Sequence, residues 1–266
     1  MAEYDRRVEP LVVRDGTAAG GPAAAAGGLW ALAMAAGLAV AQAGPGITAL
    51  RTVRTRFFPL LSGQGQSGHV ALTFDDGPDP AATPLFIDVL RRRGIRATFF
   101  LLGSQVSRSP RLAADLADAG HELGVHGWRH RCLPVRGPVA THADLARTKE
   151  IIAAAAGIDA WLFRPPYGVL STAGLVAAGR LGLTPVLWNC WGREWAAGST
   201  GESVYRTLLG DLAGGATVLL HDSDATSPPG SWRAALAALG MLLDECDRRG
   251  LRVGPLGEHG PHWAKP

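Results

Sequence analysis

From residue 69 onward, short apolar runs alternate with stretches whose apolar positions recur three and four residues apart. His69–Phe74 (HVALTF), Ile95–Leu102, Glu122–Val125, Trp161–Phe163, Thr184–Trp188, Ala216–Leu220 and Leu251–Val253 have the length and character of buried strands. Between them, Thr83–Arg93 carries Leu85, Phe86, Val89 and Leu90 at helical spacing, and Gly94 ends it. Pro110–Ala119, Thr141–Ala156, Ser171–Leu181, Gly201–Leu212 and Trp232–Arg249 read as further helices, with Ser171 as an N-cap. Strand and helix in steady alternation imply parallel strands joined by helical crossovers. The count, about seven strands, fits a distorted or incomplete (β/α) barrel. An open doubly wound sheet is the alternative.

Residues 1–68 break this pattern. Residues 23–43 hold no charge, are rich in Ala, Gly and Leu, and follow Arg6, Arg7 and Arg14. Ala41-Gln42-Ala43 after the apolar Leu29–Val40 fits a signal-peptide cleavage site, which makes the chain secreted. The same stretch just reaches the length of a membrane anchor, giving membrane association through 23–43 and an envelope location. A low-complexity tail on a cytoplasmic protein is the third reading. Ser62–Gly68 reads as a flexible linker. The expected organisation is therefore an N-terminal segment 1–68, a catalytic domain 69–257 and a short tail 258–266.

Composition removes several classes. A 47% apolar, 18% charged chain is globular. A net charge of +3 without a basic face gives no reason to expect nucleic acid. Arg91-Arg92-Arg93 sits at a helix end, where cations suit the helix dipole. Cys132, Cys190 and Cys246 are too few and too dispersed for a disulfide framework or a cysteine zinc cluster. A monomer is expected.

Both candidate folds place their sites at the C-terminal ends of the strands. Those ends carry Asp75-Asp76, His126 and His130, Arg164 to Gly168, Glu194-Trp195, and His221-Asp222. Asp75 and Asp76 are adjacent, so on an extended backbone they point to opposite sides, one toward a metal and one elsewhere. His126 and His130 are four apart, and with one carboxylate they make a three-ligand site with open positions. Gly124 and Gly127 suit a loop there better than a helix. Asp222 and Glu194 are both placed to orient His221 as a proton donor. Pro165 and Pro166 stiffen the loop after Arg164, so a backbone N–H there can serve an oxyanion.

Taken together, Thr73-Phe74-Asp75-Asp76-Gly77-Pro78, His126-Gly127-Trp128-Arg129-His130, Arg164-Pro165-Pro166-Tyr167-Gly168, Glu194-Trp195 and Leu219-Leu220-His221-Asp222 resemble the polysaccharide deacetylase family (NodB homology, carbohydrate esterase family 4), over Val70 to Leu256. The resemblance implies a distorted barrel and a divalent metal, zinc first, cobalt or nickel otherwise. It implies hydrolysis of an acetyl group on a glycan. Asp76, His126 and His130 would bind the metal, and Asp75, paired with Arg164, would be the base. The Tyr167 N–H would hold the oxyanion. His221, oriented by Glu194, would protonate the leaving amine. Trp128, Tyr167, Trp195 and Leu219 would contact substrate, with Trp191 and Trp232 near the same loops. Gly127, Glu194 and Trp191 depart from the family pattern of Ser or Thr, Asp, and Asp. An O-acetyl esterase or other amidase, and a non-catalytic glycan-binding protein, remain as alternatives.

Overall fold

The computed structural model describes residues 22–265. Arg6, Arg7 and Arg14, used in reading the N-terminal segment, lie outside the described residues. The chain divides into two compact units, Met1–Val40 and Ala41–Pro266. The first unit holds most of α1, an uncharged helix over Pro22–Ala43. A window over Leu32–Ala49 is long and apolar enough to cross a membrane, by length and composition alone.

The second unit is built on a single parallel sheet. Its strands are β1 (His69–Asp75), β2 (Thr98–Leu101), β3 (Glu122–Val125), β4 (Leu162–Phe163), β5 (Thr184–Pro185), β6 (Cys190–Trp191), β7 (Thr217–His221) and β8 (Arg252–Gly254). The order across the sheet is β5-β4-β3-β2-β1-β7-β6, with β8 paired to the first residues of β1. The helices are α2 (Arg51–Phe57), α3 (Thr83–Arg92), α4 (Gly103–Arg108), α5 (Pro110–Asp118), α6 (Pro138–Ala156), α7 (Thr172–Arg180), α8 (Gly201–Leu209) and α9 (Trp232–Arg248). The sheet curls into a half-barrel whose ends, β5 and β6, do not pair with each other.

The two-residue period of a strand decides what each position does. Val70, Leu72 and Phe74 of β1, Phe99 and Leu101 of β2, Leu123 and Val125 of β3, and Val218 and Leu220 of β7 join one large core with the helices. The alternate residues face the barrel interior. There Ala71 and Phe100 pack with Trp161, Leu162, Val186, Leu256 and Trp263. Counting up from Ala71 in steps of two reaches Thr73 and Asp75; counting from Thr217 reaches Leu219 and His221. Parallel register sets Asp75 beside His221.

Several elements differ from the sequence expectation. β5 spans only Thr184–Pro185: the Thr184 and Val186 N–H groups donate to Trp161 O and Phe163 O, and Pro185 offers no N–H toward the open edge of the sheet. After the four residues 186–189 the chain re-enters the sheet as β6, too short to be read from periodicity. α4 is a six-residue helix with no apolar stripe to announce it. Ser171 caps α7 as expected, its Oγ accepting from the Gly174 N–H.

The largest correction concerns residues 44–68. Ser62–Gly68 is not a flexible linker. Gly65 N–H donates to Gly215 O, Gln66 N–H donates to His259 O, and Thr217 Oγ1 donates to Gly63 O. Leu187 N–H donates to Leu61 O, so this segment is bonded to the stretch of chain that links β5 to β6. In the expected tail 258–266, the described residues His259 and Trp263 are buried. The boundary between compact units falls at Val40/Ala41, not at Gly68.

Candidate active site

β1 delivers two carboxylates. Asp75 ends the strand, and Arg164 Nη1 donates to its Oδ1 at 2.8 Å. Arg164 is fully buried and its other donors go to Thr73 Oγ1, Val186 O and Leu187 O. Burial holds its pKa down, while Asp75 works in the opposite direction. Asp76 follows with φ of 76°. That left-handed turn, tolerated by Asp better than by most residues, brings the second carboxylate to the same site as the first. The expectation that the two point to opposite sides fails for this reason.

β3 ends in a loop, not a helix, that carries both histidines. His126 Nδ1–H donates to Arg164 O at 2.8 Å, which leaves the Nε2 lone pair facing the carboxylates. His126 Nε2 lies 3.5 Å from Asp76 Oδ1 and 3.7 Å from Asp75 Oδ2; His130 Nε2 lies 3.7 Å from Asp76 Oδ1. Burial, then the neighbouring His130, pushes the His126 pKa down to about 3, and burial also lowers that of His130. Both rings are therefore neutral at neutral pH, as metal ligands must be. Gly127 has φ of 85°, and a Cβ there would come within 3.0 Å of Asp144 Oδ1. Asp144, from α6, accepts the Trp128 N–H at 2.8 Å and so holds the loop.

These residues fit a divalent metal. Asp76 Oδ1 is buried and has no hydrogen-bond partner among the described residues. The donor atoms of Asp76, His126 and His130 all lie within 4.8 Å of one another. Two ligands on a tetrahedral ion with bonds of about 2.1 Å stand about 3.4 Å apart, close to the spacings here. They are too far apart to be hydrogen-bonded to each other.

β7 supplies the opposite side. Glu194 Oε1 accepts from the His221 backbone N–H at 2.6 Å and from its ring Nδ1 at 2.8 Å. His221 Nε2 is left facing Asp76 Oδ2 at 4.0 Å. Burial disfavours the charged ring, but Glu194, with Asp76 and Asp75 beyond it, outweighs burial and pushes the pKa up to about 10. Asp222, expected beside Glu194 in orienting His221, does not touch it. It is buried on the other side of the strand and accepts from Thr83 Oγ1, and burial raises its pKa to about 7.

The residues surround a cavity of about 220 Å³. Tyr167, Trp195 and Leu219 line it, as does Trp191, which the sequence placed near the same loops, and as do Trp188 and Thr226, which sequence reasoning did not assign to the site. Trp191 stacks on Trp195 at 4.4 Å and meets Trp188 edge-on at 5.2 Å. Thr226 Oγ1 donates to Asp76 Oδ2. Tyr167 has φ of 60°, and its N–H has no acceptor among the described residues. Trp128 is not a cavity wall: it covers Gly103, and the Arg147 guanidinium lies 3.5 Å from its ring centre. Trp232 belongs to the helical core.

A sequence model described as polysaccharide deacetylase matches residues 62–186, a span holding Asp75, Asp76, His126, His130, Arg164 and Tyr167. A chitooligosaccharide deacetylase of Bradyrhizobium sp. (strain ANU 289) is 32% identical over 218 residues, covering 76% of this chain and 98% of the relative. This chain belongs to the polysaccharide deacetylase family. A peptidoglycan-N-acetylglucosamine deacetylase of Bacillus cereus is 33% identical, covering 71% of this chain and 86% of the relative. The match to the longer peptidoglycan-N-acetylglucosamine deacetylase PgdA of Listeria monocytogenes spans only 33% of that protein. Among solved structures, the Bc1960 peptidoglycan N-acetylglucosamine deacetylase superposes with a TM-score of 0.69 at 29% identity, over 74% of this chain and 91% of that one. The family 4 carbohydrate esterase of Streptomyces lividans, solved with acetate, gives 0.62 at 30% identity, over 71% and 93%. The half-barrel is the fold of these deacetylases, and the protein is a hydrolase of the polysaccharide deacetylase class.

Proposed function

We propose that this deacetylase removes N-acetyl groups from a glycan of the peptidoglycan or chitin-oligomer type, with a divalent metal, zinc first, held by Asp76, His126 and His130. One observation carries the reading. A base and an acid, each locked by its own partner, flank one candidate metal site, whose two histidines line an indole-walled cavity. When bound, the metal supplies Lewis acidity, which polarises the acetyl carbonyl and acidifies the attacking water.

The chain's own residues do the rest. Arg164 occupies Asp75 Oδ1, so Oδ2 is the oxygen left to take a proton from the water as its oxygen bonds to the acetyl carbon. The Tyr167 N–H donates to the negative oxygen that develops on that carbon. Glu194 fixes the Nδ1–H of His221, which leaves Nε2 to hand its proton to the nitrogen as the C–N bond breaks. Acetate and a free amine result. Trp188, Trp191 and Trp195 offer flat apolar faces to the C–H surface of a sugar ring and exclude water. With residues 23–43 as leader or anchor, the enzyme works at the cell envelope, where such glycans lie.

Acetate release from N-acetylglucosamine oligomers and peptidoglycan, compared with acetylated xylan, tests the assignment. Faster release from the N-acetyl substrates is expected. Release from xylan alone would make the enzyme an O-acetyl esterase. Glycan binding without release under any metal would make it a binding protein.

A further inference from the structure

One buried guanidinium has no part in this mechanism. Arg54, on α2, is 4% exposed. Its Nε donates to Trp188 O at 3.0 Å and its Nη1 to Ala49 O at 2.7 Å, and its Cζ lies 5.4 Å from the Trp188 ring centre. No carboxylate pairs with it among the described residues. Asp211, which lines the same groove, is taken by Arg51 at 2.7 Å. Burial, with Arg51 and Arg164 nearby, pushes the Arg54 pKa down to about 10, so the group stays charged at neutral pH. A buried cation without a counter-ion is costly unless something supplies one.

The groove it lines has a volume of about 370 Å³ and shares Tyr167, Gly168, Trp188 and Trp191 with the catalytic cavity. Arg193 lines it too, exposed, at φ of 55° and 5.5 Å from the Trp191 ring centre. Three cations thus face one acid in a groove that opens from the site of reaction. Arg51 and Arg54 precede residue 62, where the family match begins.

We infer that this groove is a subsite for a carboxylate carried by the glycan, on a sugar next to the one being deacetylated. Guanidinium groups fit the purpose, since their forked donors match a carboxylate and their planes stack on indole. The inference rests on the reading that the substrate is a glycan. It adds that an acidic neighbour is selected over a neutral one.

The test uses the full chain and oligomers in which an N-acetylglucosamine residue adjoins either a muramic acid or a uronic acid. The methyl ester of each serves as the neutral twin. Indole fluorescence reads binding, and acetate release reads turnover. One charge-assisted contact predicts about a tenfold preference for acid over ester, shrinking with added salt. Arg54→Met or Arg193→Gln should bring that ratio toward one. Asp211→Asn, which removes the competing acid, should raise it. If Arg54→Met fails to fold, the two surface substitutions decide the matter. Preference for the muramic probe alone identifies the lactyl carboxylate, and preference for the uronic probe alone identifies the ring carboxylate. A wild-type ratio near one with both probes would overturn the subsite, as would a ratio that Arg193→Gln and Asp211→Asn both leave unchanged. A binding preference without any acetate release would leave the subsite standing and remove the deacetylation reading instead.

Discussion

A single carboxylate oxygen separates a base from a structural ion pair at Asp75. Arg164 takes Oδ1, and Oδ2 faces His126 and the cavity. Asp75→Asn keeps the shape and one acceptor toward Arg164 but cannot take a proton. We expect acetate release to fall about 10²- to 10⁴-fold, the range for general-base catalysis, with metal content unchanged by elemental analysis. Wild-type turnover in that variant would remove Asp75 as the base. His221 gives a second prediction at this scale. The acid must be protonated, burial opposes that, and the Glu194 carboxylate more than compensates. Glu194→Gln removes the compensation, so the alkaline limb of the kcat/KM profile should move to lower pH. An unmoved limb would mean that another group sets it. Asp75, Asp76, His126, His130, Arg164 and His221 were legible in the sequence because polar side chains that end apolar strands are conspicuous. Thr226, Trp188 and Asp144 were not. Each reaches the site from a loop or helix whose path depends on tertiary packing.

Strand parity explains how whole elements cooperate. Steps of two carry the count from Ala71 of β1, Leu162 of β4 and Leu219 of β7 to Asp75, Arg164 and His221, and from the buried Gly124 of β3 to His126. The long strands and helices were readable from periodicity for the same reason that they are stable, since each has one apolar face. β6, α4 and the path of residues 44–68 have no such face, and their positions come from hydrogen bonds to distant segments. The consequence is testable at Gly65. A Cβ there would meet the His259 ring at 2.3 Å, and that ring is pinned by Gly63 O and Gly215 O. Gly65→Ala should cost about 1–3 kcal/mol by overpacking, read by denaturant unfolding. An unchanged midpoint would restore the flexible-linker reading.

At the scale of the whole molecule, three buried histidines away from the site tie stability to acid pH. Burial pushes His69, His121 and His259 each down to about 4, and His69 and His259 share a 2.8 Å contact between their Nδ1 atoms. A folded pKa below the unfolded value of about 6.5 means that the unfolded chain gains protons first as pH falls. The stability these three histidines contribute should therefore be full above about pH 6.5 and decline toward pH 4. Melting temperatures across that range check it, and a flat profile would show that the pair is no liability. The central claim is broader: an Asp-His-His metal site drives deacetylation of a glycan. Its most direct test is acetate release from N-acetylglucosamine oligomers by the full chain, first stripped of metal and then restored with zinc or cobalt. The account predicts loss of release on stripping and its return on restoration. Equal release with and without metal, or no metal retained by the folded protein, would contradict it.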